Sequence, residues 1–335
     1  MSYVRLVPFL LLLAVIVASS PVAGQPLAQP KSPNTAPPSG PAVPGKPGTP
    51  PAPEPPKADP VAQKTLDDTI AYLEKHPIVW FDTNLWQQID VQGLLFQSEG
   101  KYQYGPGFRL SLDFRLRTGE NTGRLEMVCD GTTNWETHQV GDSKKYIQRL
   151  DWTKVMNTFR QGAAPPESRE LFLTSKSFGG ILPFIKTLRQ SLTLTKQENV
   201  AWIDHVLDDK SVTKTVERPV VKLTGAWSGE LITKPIPANM WPPVLPRQCC
   251  LYLDEKTHCV CRVEWWGPVV QGAADSLLLQ IEFRDAKINV ELSEDRSAQV
   301  FKYNPGDGPV QDVTSEMVGQ LQNHLDRTKS LPKRK

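Results

Sequence analysis

The sequence predicts an α+β fold in which a curved antiparallel sheet carries helices on its apolar face. Three observations predict it. From Phe108 to Arg117 the residues alternate without a slip, Phe108, Leu110, Leu112, Phe114 and Leu116 against Arg109, Ser111, Asp113, Arg115 and Arg117. Neighbouring side chains on a strand point to opposite faces, so this stretch has one apolar and one charged face, as in a sheet wet on one side. Leu277, Leu279, Ile281 and Phe283 repeat the pattern, and so do Val263 and Trp265. Elsewhere apolar residues recur at helical spacing instead.

The first residues read as an export signal. Arg5 precedes an apolar run from Leu6 to Ala18, and Val22-Ala23-Gly24 offers small residues for cleavage. That is the three-part pattern of a secretory signal peptide, over residues 1–24, with Gln25 as the first mature residue. The run is short for a membrane span, which takes about 20 residues. Residues 25–60 are dominated by Pro with Ala, Gly, Lys and Ser, a composition that favours an extended linker without a core. The folded domain is expected over 61–326. Arg327, Lys329, Lys333, Arg334 and Lys335 close the chain as a basic tail, 327–335, suited to peripheral contact with an anionic membrane surface. The formal net charge is only +2, so the whole carries no field for nucleic acid.

The domain opens with a helix: Asp59 caps, Pro60 takes the first position, and Ala62, Leu66, Ile70 and Leu73 form a stripe that His76-Pro77 ends. Strands are expected at Val91–Glu99, Lys101–Tyr104, Phe108–Arg117, Arg124–Cys129 and Asn134–Val140, with a turn at Asp130-Gly131. Trp152, Val155, Met156 and Phe159, capped by Asp151, form one helix. Ile181, Phe184, Ile185, Leu188 and Leu192 form another, with a hinge at Gly179-Gly180. Strands resume near Val200 and continue through Val220–Ala226, a hairpin from Cys249 to Trp266, Ser276–Arg284, Lys287–Leu292 and Gln299–Tyr303. A last helix carries Met317, Val318, Leu321 and Leu325.

Five cysteines remain in the mature chain. A symmetric turn at Asp254–Thr257 would set Leu253 against His258 and Cys250 against Cys261, a disulfide candidate in an exported protein, with simply buried thiols as the alternative. A metal site from Cys249, Cys250, Cys259 and Cys261 is disfavoured, because alternation turns Cys249 away from the others while zinc needs convergent ligands. No metal or cofactor is expected. The sequence holds no nucleophile elbow, no H-E-x-x-H and no phosphate-cradling glycine loop. Asp204-His205 and His258-Cys259 are adjacent on strands and face apart, so the reading is a protein that is not an enzyme.

With these residues in place, the segment Glu99-Gly100-Lys101-Tyr102-Gln103-Tyr104-Gly105-Pro106-Gly107-Phe108-Arg109-Leu110 resembles the opening of LolA/LolB-like lipoprotein carriers. Cys129-Asp130-Gly131 with Trp135, Leu253-Asp254 with Cys261-Arg262-Val263, Ile281-Glu282-Phe283, Phe301-Lys302-Tyr303-Asn304-Pro305 and Gly308-Pro309-Val310 are similar to later parts of that family. The likeness runs over most of Val61–Thr314 and is nearest the enlarged planctomycete-type envelope versions. Leu150–Pro246 is longer than in a small carrier, and the last helix and basic tail are additions.

The resemblance implies a half-open curved antiparallel β-barrel with helices covering the concave apolar face, in the periplasm or exported cell envelope. It implies acyl chains or lipidated proteins as partners, held by Phe108, Leu110, Leu112, Phe114, Leu116, Leu277, Leu279, Ile281 and Phe283 of the barrel. Trp152, Phe159, Ile181, Phe184 and Leu188 would supply the lid. The alternative function is a structural or regulatory envelope module, with an envelope protein as partner and no lipid.

Overall fold

A computed structural model describes residues 56–91, 94–162, 180–207, 213–227, 246–268, 273–306 and 308–329. The leader, Gly179 and the end of the basic tail lie outside them. The opening helix α1 spans Pro60–Lys75, with Asp59 Oδ1 accepting from the backbone N–H of Val61 at 2.9 Å. It buries Ala62, Leu66 and Leu73. Six strands follow: β1 (Phe81–Val91), β2 (Leu94–Gly105), β3 (Arg109–Thr118), β4 (Asn121–Asp130), β5 (Thr133–Val140) and β6 (Tyr146–Asp151).

Helices α2 (Trp152–Gln161) and α3 (Ile181–Ser191) come next. The long hairpin β7 (Leu192–Leu207) and β8 (Thr213–Trp227) follows, then β9 (Gln248–Asp254), β10 (Val260–Pro268) and β11 (Asp275–Ile288). The chain closes with α4 (Glu294–Val300), β12 (Val310–Asp312) and α5 (Thr314–Lys329). All twelve strands form one curved, unclosed sheet in the order β12-β6-β5-β4-β3-β2-β1-β11-β10-β9-β8-β7. Every pairing is antiparallel except β12 with β6 at the edge. The α+β class with helices on the apolar face of an open sheet is therefore the architecture formed.

The sheet holds more than the sequence reading allowed. β1 and β6 were not expected, yet β1 joins the two halves by pairing with β2 and β11. Its alternates Thr83 and Gln87 are polar, which hid the row Phe81, Leu85, Ile89 that they interrupt. β2 runs unbroken where two strands were expected, and β11 likewise absorbs Lys287 and Ile288. The strand expected at Gln299–Tyr303 is not formed: Glu294–Val300 is helical, capped by Ser293, whose side chain accepts from Arg296 N–H. Phe108 belongs to the turn before β3, where its φ is +63°, rather than to the strand.

Hairpin β7–β8 outruns its neighbours. Its distal arm reaches β11, where Asp204 Oδ1 accepts the N–H of Asp285 at 3.0 Å while Oδ2 accepts from Arg218 Nε at 2.8 Å. The Asp254 turn is longer than the symmetric one. Asp254 Oδ1 accepts from Lys256 N–H and Thr257 N–H, and His258 takes φ +57°. Leu253 then pairs with Val260, not His258, and the register shifts between Val260 and Arg262, so Cys250 lies opposite Glu264.

Candidate functional site

The apolar face is assembled from both halves of the sheet. Antiparallel pairing keeps Phe114, Gly100, Leu85 and Phe283 in one lateral row. A second row joins Leu110 to Cys129 and a third joins Leu112 to Met127. Gly100 has a structural role here: a Cβ would meet the Asp113 carbonyl oxygen at 1.8 Å, so the backbones approach too closely for any other residue. Across β1 the face continues through Leu279, Ile281 and Phe283 to Val263, Trp265, Leu251 and Leu253.

The helices are laid over this face. Asp151 Oδ1 accepts from Lys154 N–H at 3.0 Å and starts α2, whose Trp152, Val155, Met156 and Phe159 are buried in the same cluster. Helix α3 contributes Ile181, Phe184, Ile185 and Leu188. Its N-terminus is Gly180 at φ +69°, with no side-chain cap, and a Cβ there would stand 3.2 Å from the Tyr104 ring. On the outside, Arg189 grips Asp67 of α1 through Nε at 2.6 Å and a second nitrogen at 3.1 Å, and Lys186 meets Glu74 at 2.8 Å. Helix α5 packs Leu325 against the end of α2 at Gly162.

Of the residues expected to line the face, Leu110, Leu112, Phe114, Leu279, Ile281 and Phe283 share one core with Trp152, Phe159, Ile181, Phe184 and Leu188. Phe108 and Leu116 are half-buried against it, and the Phe108 ring meets Trp152 edge-on with centroids 5.9 Å apart. Leu277 is half-buried outside that core, beyond the register shift between Trp265 and Trp266. The sequence reading passed over Phe81, Tyr102, Leu125, Met127, Leu251 and Leu253, which are equally part of it. The face is filled by the protein's own side chains: Leu110, Phe114, Leu125 and Met127 are 0% exposed.

The opposite face differs between the halves. Over β10 and β11 it carries a buried ionic network. Glu282 accepts from Arg284 Nε at 2.7 Å and Gln280 Nε2 at 2.6 Å, Arg262 bridges Glu264 and Glu282, and Tyr252 and Trp266 both donate to Glu264. Over β3 and β4 the corresponding groups are solvated, as in the Arg124–Asp113 pair at 2.7 Å.

No chemistry of the nucleophilic kind is set up by the thiols. All five cysteines are free and buried. Burial pushes every one of them up, Cys129 and Cys259 to about 12, so the reactive thiolate is suppressed at neutral pH. Among the described residues no three His, Cys, Asp or Glu side chains gather to hold a metal ion, and no helix is long and apolar enough to cross a membrane.

No protein-family model matches the chain, and no curated protein matches it in sequence. Among solved structures the chain is similar to MucB, at 12% identity and a TM-score of 0.31 over 75% of this chain and 66% of that one. It is also similar to the MucA/MucB complex of Pseudomonas aeruginosa (14%, TM-score 0.30, 70% of this chain and 60% of that one). A third is a putative outer membrane lipoprotein-sorting protein domain from Vibrio parahaemolyticus (8%, TM-score 0.19, 71% and 97%). The chain thus spans 60 to 66% of the MucB-containing chains. Likenesses at these scores decide neither fold nor function, which rest here on the strand order and the packing.

Proposed function

We propose that this is an exported, non-catalytic binding protein of the cell envelope whose helix-covered apolar face takes up acyl chains of lipids or lipidated proteins. The observation that carries the reading is the separate origin of cover and face. The face belongs to a single open sheet, while the cover is helical, built from α1, α2, α3 and α5, of which α3 starts at an uncapped Gly180. Residues 1–24 act as the signal and 25–60 as the spacer in this reading.

Magnitudes decide how a guest would enter. Burying sixteen methylenes contributes about 13 kcal/mol at about 0.8 kcal/mol each, whereas eight lid side chains contribute about 12–24 kcal/mol. Those eight are Trp152, Val155, Met156, Phe159, Ile181, Phe184, Ile185 and Leu188. One acyl chain therefore offsets full ejection of α2 and α3 only at the bottom of that range. Uptake is favoured over the rest of it when the helices tilt and re-bury part of their surface on the guest.

The filled face favours a second reading, an envelope module that binds a protein partner without lipid. One experiment separates the two. The full mature chain is titrated with a fluorescent fatty-acyl probe and, purified from its native envelope, analysed by native mass spectrometry for retained lipid. Saturable one-to-one binding, lost in Phe114→Asp or Leu188→Asp variants that keep their far-ultraviolet circular dichroism, supports the carrier. A folded chain that neither binds the probe nor retains lipid leaves the module.

A further inference from the structure

A second concavity lies on the far side of the sheet from the helix-covered face and plays no part in the reading above. It is a cleft of about 720 Å³ between the ends of β3–β5 and the segment that follows β11. Two aromatic pairs frame it. Trp80 stands against Phe301 with ring centroids 6.3 Å apart, and Trp135 stacks on Tyr303 at 5.4 Å. The Tyr303 hydroxyl is tied to Thr137, and Arg109 donates to Ser297 Oγ at 3.1 Å, so both walls are fixed to the sheet. At its edge stand the exposed carboxylates of Asp130, Glu291 and Glu294 beside two exposed basic groups, Arg109 and Lys302, so the rim carries one more negative than positive charge.

An open slot framed by three half-buried rings and the buried Phe301, with three carboxylates against two basic groups at its rim, suits a ligand that is itself apolar, stiff and sparsely cationic. Extended proline-rich peptide has that chemistry: its rings fill aromatic slots at low entropic cost, and a flanking basic residue meets the acidic rim. The chain carries such a peptide. Residues 25–55 are proline-rich and hold Lys31 and Lys46 against the single acid Glu54. We propose that the cleft framed by Trp80, Trp135, Phe301 and Tyr303 is a binding site for polyproline-type peptide, and that its occupant is this chain's own leader, Gln25–Pro55.

Reach permits it. The leader joins the fold at Asp59, whose N–H is held by the Leu194 carbonyl, and the 16-residue α1 separates Asp59 from the Trp80 end by about 24 Å. About 31 residues in the polyproline form extend on the order of 95 Å, enough to round the sheet.

The test uses the full mature chain labelled at the tryptophan indole nitrogens, beside a chain of equal length whose leader prolines are changed to Ser. Synthetic Gln25–Pro55 added to the Ser-leader chain should shift the Trp80 and Trp135 indole signals saturably, toward their positions in the natural chain. Glu291→Lys, a surface change outside α4, should weaken that binding at least tenfold, and Trp135→Ala should do the same. Trp86→Ala, which removes a ring lying under Arg284 outside the cleft, should leave it unchanged. The proposal is overturned if the peptide moves neither indole at millimolar concentration, or if an all-Ser peptide moves them equally. A chito-oligosaccharide that shifts them where the peptide does not would also overturn it and assign the cleft to sugar.

Discussion

Strands β3 and β11 look alike in sequence and are treated differently by the fold. Each presents a row of apolar side chains to the helix-covered face, Leu110, Leu112 and Phe114 on one and Leu279, Ile281 and Phe283 on the other. Their polar rows part company. Asp113 pairs with an Arg124 that is 44% exposed, so its charge is solvated. Glu282 is 6% exposed and is held by Arg284, Gln280 and Arg262. An alternating pattern thus reports that one face is buried and says nothing about how dry the other is.

The largest expected effect tests that difference directly. Glu282→Ala removes the shared acceptor of two arginines and should destabilise by about 3–5 kcal/mol, because Arg284 is left without a carboxylate and Arg262 keeps only Glu264. Asp113→Ala, the matching change on β3, should cost no more than about 1 kcal/mol. Urea unfolding of the two variants side by side is the check. Equal losses would mean that the two halves are equally wet and would break the comparison.

The thiols sharpen it. Four of the five cysteines lie on or beside β9 and β10, and burial holds all of them in the protonated form. A thiol reagent at pH 8 should therefore label none in the native chain and all five after unfolding in guanidinium. Labelling of only three in the unfolded, unreduced chain would show that one pair, such as Cys250 with Cys261, is oxidised after all and that the β9–β10 register differs from the one described.

Gln87 marks the seam between the halves. It sits on β1 among Leu85, Ile89 and Ile281, is 0% exposed, and neither end of its amide has a hydrogen-bond partner among the described residues. An unsatisfied buried amide costs about 1–3 kcal/mol. Gln87→Leu should therefore raise the stability of the unliganded protein by roughly that amount, seen as a higher midpoint in urea with an unchanged slope. A loss of stability would mean that the amide is satisfied in solution.

What the sequence disclosed follows the same division. The β3 row, α1 with its Asp59 cap, α2 with its Asp151 cap and the stripe of α3 were legible, because each depends on a local pattern and a local cap. β1 was not, since Thr83 and Gln87 occupy its core-facing positions and break the apolar alternation. The Cys250–Cys261 pairing failed for a similar reason: the side chain of Asp254 organises a longer turn, which shifts every later partner on β10. The aromatic cleft was invisible because Trp80, Trp135 and Tyr303 come from three distant segments brought together only by the sheet. The strand expected at Gln299–Tyr303 gave way to the helix Glu294–Val300, whose signal was the Ser293 cap and an acidic first turn.

The smallest effect concerns the clasp that holds the cover closed. Asp67 on α1 has its carboxyl lowered below the ordinary value of 3.8, chiefly by the hydrogen bond from Arg189 of α3. A depressed folded-state value contributes stability that is present above the unfolded value and lost as the pH falls through the folded one. Both groups are largely solvated, so the contribution at neutral pH is about 0–1 kcal/mol. Asp67→Asn should therefore be slightly less stable than the natural chain at pH 7 and no different once the pH is below the depressed value. If the helices move as the carrier reading requires, the same variant should bind an acyl probe faster at pH 7 and at the natural rate in acid. An unchanged rate at pH 7, with the expected small loss of stability, would mean that the α1–α3 clasp does not govern entry.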